Sequence, residues 1–307
     1  MAGDDGAANP ADDIATPASR AEPGSLYVVA TPLGNARDLT LRALDILRSA
    51  DVIAAEDTRV TAPLLRRYGI ATRPRSLHAH NEARRADSIL AALHAGKSVA
   101  LVSDAGTPAV SDPGARLVRA VREAGFGVVP VPGPSAVAAA VSAAGLYAER
   151  FAFLGFLPTA TKARRELLAS VASLPLALVL FEAPHRVRAT AAELAGILAA
   201  SRTLIVAREL TKLFETMARM TLGEADAWFA ADPNRERGEF VLIVDAPQAS
   251  PDDAPAMSAD ADRWLAVLLQ ELPPARAARV AAAVTGAPRE ELYARALALK
   301  PDSRGRR

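Results

Sequence analysis

Short runs of consecutive apolar residues alternate along this chain with stretches whose apolar positions recur at helical spacing. The runs at residues 26–30, 52–55, 99–102 and 127–131 predict strands, and the stretches at 41–48, 63–68 and 82–95 predict helices. Gly69, Gly96, Gly125 and Gly145 fall just past helical patterns, where a left-handed residue ends a helix. Strands that are apolar throughout, separated by helices, imply a mostly parallel sheet covered on both faces.

After Gly145 a second set begins, with predicted strands at 151–156, 176–181, 203–207 and 239–245 and helices at 162–174 and 186–200. The expected class is therefore α/β, with two α/β domains. Residues 1–24, rich in Ala, Asp, Gly and Pro, are expected to be a disordered tail. The first domain spans 25–145 and the second 146–246. Residues 247–258 (PQASPDDAPAMS from Pro247) form a linker, and 259–307 a small C-terminal helical unit. That unit carries predicted helices at 259–270, 274–285 and 289–299, the last two around a tight corner at helix-turn-helix spacing. With nine basic and six acidic residues it suits either an RNA-contacting appendage or a helical prop at a dimer interface.

Composition narrows the class. A length of 307 residues allows about two domains, and half of the residues are hydrophobic. No apolar run reaches the roughly 18 residues of a membrane span. The start, MAGDDGAANPADD, lacks the basic and apolar regions of a secretion signal. Without cysteine, disulfides and thiolate catalysis are excluded, which fits a reducing cytoplasm. The net charge of +1 hides an acidic tail and a basic remainder, and only four of the 36 basic residues are lysine. Arginine forks suit phosphate and carboxylate recognition, although solvated surface arginines account for the composition equally well.

Candidate chemistry lies at strand ends. Residues 31–35 (TPLGN), 103–114 (SDAGTPAVSDPG) and 132–136 (PGPSA) are three Gly/Pro-rich loops, each between a strand and a helix. Carboxyl ends of parallel strands converge, so three such loops at one sheet edge imply a shared pocket. Gly34 can take positive φ, and Pro32 stiffens its approach. Asp104 suits a ligand hydroxyl or amine, or caps its own turn. No G-x-G-x-x-G opens a helix after a strand, and Gly96-Lys97-Ser98 leads from helix to strand, the reverse of a phosphate-binding loop.

Seven segments in order, TPLGNARDLTLRAL from Thr31, AEDTR from Ala55, HNE from His80, SDAGTPAVSDPG, PGPSA, FEAPHR from Phe181 and ARELTK from Ala207, resemble the tetrapyrrole-methylase-fold methyltransferases. More narrowly they are similar to the branch that methylates the 2′-hydroxyl of a 16S rRNA cytidine. The resemblance covers about residues 25–245. It implies a homodimer acting on the small ribosomal subunit in the cytoplasm, with S-adenosylmethionine as methyl donor in a cleft between the two α/β domains. By the same resemblance the donor site draws on Pro32, Leu33 and Gly34; on Asp104, Ala105, Gly106, Thr107 and Pro108; on Pro132, Gly133 and Ser135; and on Ala183 and Pro184.

The chemistry asks for alignment and a proton acceptor. In-line methyl transfer discharges a sulfonium, so positioning carries most of the work. A ribose hydroxyl needs its proton accepted, and Glu56, Asp57, Glu82 and His185 are candidates, with Asp57 and Glu82 favoured. Helix capping, or ion pairs with Arg59 or Arg84, would occupy the same carboxylates. Candidate RNA contacts are Arg59, His78, Asn81, Arg186, Arg208 and Lys212; ion pairs with Glu209 or Glu215 are the alternative for the last two. His78 and His80 lack the further ligands a metal site needs. Two other functions remain open: carbon methylation of a small tetrapyrrole, and a non-catalytic RNA-binding assembly module.

Overall fold

The computed structural model of the chain describes residues 19–78, 82–247 and 259–299, without the side chains of 82–84 and 259–260. A first sheet comprises β1 (Ser25–Val29), β2 (Val52–Ala55), β3 (Pro74–Ser76), β4 (Val99–Val102) and β5 (Gly127–Val131), in the order β3-β2-β4-β1-β5, all parallel. Helices α1 (Leu41–Ser49) and α2 (Thr58–Arg67) cover one face, where Ile46, Leu47 and Leu65 meet Tyr27, Ile53 and Val102. Helices α3 (Glu82–His94) and α4 (Ala115–Glu123) cover the other, through Ile89, Leu93, Leu117 and Val121. Both faces of β2 and β4 are buried, which explains their uninterrupted apolar sequences.

The chain leaves β1 toward β2 and leaves β4 toward β5, in opposite directions over opposite faces. Neighbouring β1 and β4 thus form the point where strand order reverses, and their C-terminal loops open a crevice there.

Helix α5 (Ala136–Ala143) leads to a second sheet of β6 (Phe151–Phe156), β7 (Ala177–Glu182), β8 (Thr203–Arg208), β9 (Thr216–Thr221) and β10 (Phe240–Val244). Its order is β6-β7-β10-β8-β9; only the β6–β7 pair is parallel. Helices α6 (Thr161–Val171), α7 (Val187–Ile197) and α8 (Ala225–Ala230) pack on one face around Leu180, Leu194, Phe229 and Leu242. On the opposite face α5 packs through Ala140 against Val179, Ile205, Val241 and Ile243. The two sheets and their helices form one compact unit ending at Pro247. Gln248–Arg307 is a second unit, in which α9 (Ala259–Leu268), α10 (Pro274–Thr285) and α11 (Arg289–Leu299) enclose Leu265, Ala278 and Leu292. Gly286, at φ +73°, supplies the left-handed end of α10.

Several sequence expectations need correction. Residues 19–24 pack on α1 rather than trailing: the Ala21 N–H donates to Ser49 Oγ (2.9 Å), the Glu22 N–H donates to the Tyr27 hydroxyl (2.9 Å), and Ala21 is buried. The rest of the tail, residues 1–18, lies outside the described residues, as does the linker from 248 to 258. Helix α2 starts at Thr58 because the Asp57 side chain accepts the Arg59 N–H there, so Pro63 sits inside the helix and not at its start. Strands β3 (PRS) and β9 (TMARMT), both partly exposed sheet edges, lack an apolar run and were not expected from sequence.

Asp245, fully buried just past β10, fixes the segment that joins the two halves. Its carboxylate accepts the N–H groups of Tyr147 (2.9 Å), Ala148 (3.3 Å) and Ala246 (2.8 Å). Asp245→Ala orphans these donors and is expected to cost about 2–4 kcal/mol. A lowered urea midpoint at unchanged slope is the measurement.

Candidate functional site

The site is built at the reversal point between β1 and β4. The Thr31 N–H donates to the Gly106 carbonyl (2.8 Å) and the Gly106 N–H returns the bond to the Thr31 carbonyl (2.9 Å). The Thr31 hydroxyl donates to the Ser103 carbonyl (3.1 Å), so the loops after β1 and β4 are stitched together. Thr107 extends the stitch, its hydroxyl donating to the Pro134 carbonyl in the loop after β5 (3.1 Å). Gly106 has φ +78°, and an added Cβ would lie 3.2 Å from Leu33 Cδ2. Ala109 (φ 67°) and Ser111 (φ 64°) in the β4 loop are also left-handed, a conformation that non-glycine residues hold only under tertiary constraint.

These loops form one wall of a cleft of about 380 Å³, within the usual range for small-molecule sites. Leu33, residues 104–107, Val110, Asp112 and residues 135–137 come from the first half of the unit. Phe156, Phe181, residues 182–184, Ala207, Leu210 and residues 239–241 come from the second. Apolar walls of Leu, Val and Phe therefore surround a few convergent carboxylates.

Two hollows adjoin it. Glu56, Asp57, Thr58, Arg59, Ser76, His78 and Asp104 line one of about 480 Å³. Pro32, Gly34, Ala36, Val60, Thr61, Pro63, Leu64, Arg67, Ser103 and Asp104 line the other, of about 270 Å³. Asp104 borders all three spaces.

The carboxylates are pinned by backbone. The Asp104 N–H donates to Glu56 Oε2 (3.3 Å), and the Asp57 N–H donates to Asp104 Oδ1 (3.0 Å). Burial pushes Glu56 above its ordinary range, and the charges of Asp104 and Asp57 add to this against the Asp104 N–H bond. Burial likewise raises Asp104. Asp112 is pushed up to about 6, chiefly by burial and then by the Glu56 charge, against a hydrogen bond from Ser103. Asp57 is held below the usual carboxylate range by its hydrogen bonds with Arg59, including Nη2–Oδ2 at 2.6 Å.

The loop between β8 and β9 closes over the loop that follows β1. Glu209 (φ 53°) and Thr211 (φ 65°) are left-handed, and the Asn35 N–H donates to Thr211 Oγ1 (3.1 Å). Lys212 Nζ donates to Glu209 (2.9 Å) and Glu239 (3.0 Å) while its stem lies on Gly34. An added Cβ at Gly34 would be 2.2 Å from Lys212 Cγ. Gly34 is thus needed for this approach and not for positive φ, which it does not have.

Comparison with known proteins agrees with this architecture. Residues 25–226 match the family model described as Tetrapyrrole (Corrin/Porphyrin) Methylases, and residues 255–300 match the RsmI C-terminal HTH domain. The Ribosomal RNA small subunit methyltransferase I of Escherichia coli O157:H7 is 48% identical over 274 residues, covering 89% of this chain and 95% of the relative. The protein of the same name from Xylella fastidiosa (strain Temecula1) is 49% identical over 271 residues, covering 88% and 98%. The chain belongs to the tetrapyrrole methylase family, in its ribosomal RNA small subunit methyltransferase I branch. Solved structures share the fold: a cobalt precorrin-4 methyltransferase superposes with TM-score 0.57 at 18% identity, covering 72% of this chain and 95% of the other. Uroporphyrin-III C-methyltransferase from Thermus thermophilus, complexed with S-adenosylhomocysteine, gives 0.52 at 21% identity, with coverage of 72% and 97%.

Of the residues carried over from the family resemblance, Leu33, Asp104, Ala105, Gly106, Thr107, Ser135, Ala183 and Pro184 line the cleft. Pro32 and Gly34 line the neighbouring hollow, whereas Pro108, Pro132 and Gly133 line neither space. Gly133 runs close to the end of β1: an added Cβ would lie 3.0 Å from Ala30 Cβ.

The candidate RNA contacts divide. Arg59 is 89% exposed beside Asp57, and His78 lines the same hollow. Arg186 is committed inward, donating to the Leu157 carbonyl (3.1 Å) and pairing with buried Glu182 (3.4 Å). Arg208 holds the carbonyls of Arg237 (2.6 Å) and Phe214 (3.2 Å), and Lys212 is taken up by its two glutamates rather than by Glu215. Asn81 and His80 lie outside the described residues, and Glu82 opens α3 without a described side chain. Asp57 takes both alternative roles foreseen for it, capping α2 and pairing with Arg59.

Asp112 and Glu239 were not singled out from sequence. Asp112 sits in an SDPG turn, and Glu239 directly precedes β10; nothing local marks either as facing a cleft.

Burial of Asp112 has a measurable sign. Its folded pKa of about 6 exceeds the unfolded value of 3.8, so the folded state holds the proton more tightly. Asp112 therefore costs nothing below pH 3.8, and its cost grows as pH rises, reaching its full value above about 6. Asp112→Asn should melt higher than the parent at pH 7.5, by on the order of 1 kcal/mol after solvent screening, and equally at pH 3.5.

Proposed function

We propose that the chain transfers a methyl group from S-adenosylmethionine to the 2′-hydroxyl of a cytidine in 16S rRNA of the small ribosomal subunit. The observation that carries this reading is the two-sided cleft at the β1–β4 reversal point, with apolar walls and five carboxylates, Glu56, Asp104, Asp112, Glu182 and Glu239. The names of the Escherichia coli and Xylella relatives support the class of substrate.

The cleft fits such a donor on its own chemistry. Gly106 leaves room where a side chain would press on Leu33, so backbone approaches the ligand closely. Leu33, Val137, Phe156 and Phe181 offer apolar surface to a nucleoside, and Asp104 offers acceptors for ribose hydroxyls. Glu56, Asp104 and Asp112 give the cleft the negative potential a sulfonium cation requires. The donor supplies an activated methyl on a cationic sulfur. The residues of the chain orient it, exclude water and accept the proton of the acceptor.

Arginines at the cleft mouth, Arg59 and Arg67 among them, supply phosphate affinity that falls with salt. The C-terminal helical unit acts as an RNA-contacting appendage. The enzyme works as a homodimer in the cytoplasm, where small subunits assemble, and no helix among the described residues is long and apolar enough to cross a membrane. In this reading residues 25–145 and 146–246 act as two α/β domains that grip the donor between them.

Two measurements test this. Small-subunit particles lacking the modification, incubated with labelled donor, should gain label in cytidine ribose; label elsewhere or none refutes the assignment. Donor binding should also release protons near pH 6, because a cation beside Asp112 lowers its pKa. Donor affinity by calorimetry should therefore rise between pH 5 and 7.5, while the demethylated product, which lacks the sulfonium charge, shows a weaker dependence.

A further inference from the structure

We infer that the polar hollow beside the donor cleft seats a single unpaired ribonucleotide, with Glu56 accepting the proton of its 2′-hydroxyl. This rests on the donor-site reading above and adds the seat of the acceptor and the identity of the base.

The two spaces differ in chemistry. Apolar side chains dominate the donor cleft, whereas the described residues lining the hollow are Glu56, Asp57, Thr58, Arg59, Ser76, His78 and Asp104. Hydroxyls, an imidazole, a guanidinium and carboxylates match the ribose, phosphate and base edges of a nucleotide. A volume of about 480 Å³ admits one nucleotide, not a duplex, so the acceptor must leave its stack to enter. Arg59 stands at the rim, its guanidinium held by Asp57 in a fixed orientation and 89% exposed. A guanidinium held in this way can contact phosphate or stack on a base at little entropic cost.

Among the described residues, Glu56 and Asp104 alone border both spaces. Asp104 accepts the Asp57 N–H through Oδ1 and, in the reading above, turns its remaining acceptors to the ribose of the donor. Asp57 borders the hollow alone and is saturated by Arg59; Asp112 borders the donor cleft alone. Glu56, oriented by the Asp104 N–H on Oε2, is left at the seam. The hydroxyl oxygen forms its bond to the methyl carbon as the carbon–sulfur bond breaks. The O–H proton passes to the Glu56 carboxylate, and the freed electron pair stays on the sulfur of the sulfonium donor, now a neutral thioether. Partial burial suits Glu56 to this, since a raised pKa makes it a better proton acceptor.

The experiment uses the full chain, small-subunit particles and labelled donor. Ser76→Trp fills the hollow and should lower kcat/KM for the particles at least about 100-fold, with donor affinity by calorimetry within about twofold of the parent. Thr58→Gln narrows the same space from α2, and should give a smaller loss if Ser76→Trp disturbs the sheet edge. Glu56→Gln should cut kcat by about 10²–10⁴ and remove the ascending limb of the pH profile, and Glu56→Asp should restore part of both. Wild-type turnover in both hollow-filling variants overturns the seat, and an intact pH limb in Glu56→Gln overturns the base. Absence of donor binding to the parent protein would instead remove the donor-site reading and this inference with it.

Discussion

The paired hydrogen bonds between Thr31 and Gly106 are the constraint on which the site depends. They join the loops leaving two adjacent parallel strands whose connections run in opposite directions. Without that bridge the β1 loop has no fixed height above the sheet, and neither Leu33 nor Asp104 has a defined position. Thr31 is 1% exposed, and its hydroxyl is spent on the Ser103 carbonyl, so the bridge is shielded from competing water. The Thr107–Pro134 bond then carries the same alignment to the loop after β5 and to the first turn of α5.

The second half of the unit contributes by closure. Helix α5 belongs in sequence to the first sheet yet packs on the second, and its first residues line the cleft. Asp245 holds the joining segment, and the Glu209–Lys212–Glu239 cluster clamps the β8–β9 loop onto Gly34. Burial works to raise Glu209, but the Lys212 ammonium and the Glu239 N–H outweigh it and keep the carboxylate charged. Four left-handed non-glycine residues, Ala109, Ser111, Glu209 and Thr211, lie in the two loops that meet the ligand space from opposite sides. Strain of this kind, and carboxylates held against their preference for water, are stability given up for a preformed pocket.

Much of this was legible in the sequence. The strands at 52–55, 99–102, 127–131 and 151–156 stand where apolar runs predicted them; in the first two the reason is burial on both faces, which requires apolar residues throughout. Gly69, Gly96, Gly125 and Gly145 all have positive φ, as their places after helices required. The strands β3 (PRS) and β9 (TMARMT) were not legible, since neither carries an apolar run. Arg186 and Lys212 read as surface cations, and the partners that occupy them come from distant segments, Leu157 for one and Glu239 for the other.

By itself the sequence determined the α/β class, the positions of the loops that carry chemistry and, through seven ordered motifs, the family. Those properties depend on local pattern: periodicity, turn residues and short segments at fixed spacing. Only the tertiary structure decided which carboxylates face the cleft, that Gly34 makes room for a lysine stem, and that among the described residues Glu56 and Asp104 alone border both spaces. Burial, charge proximity and shared walls arise from residues tens to hundreds of positions apart, so no local feature of the chain encodes them.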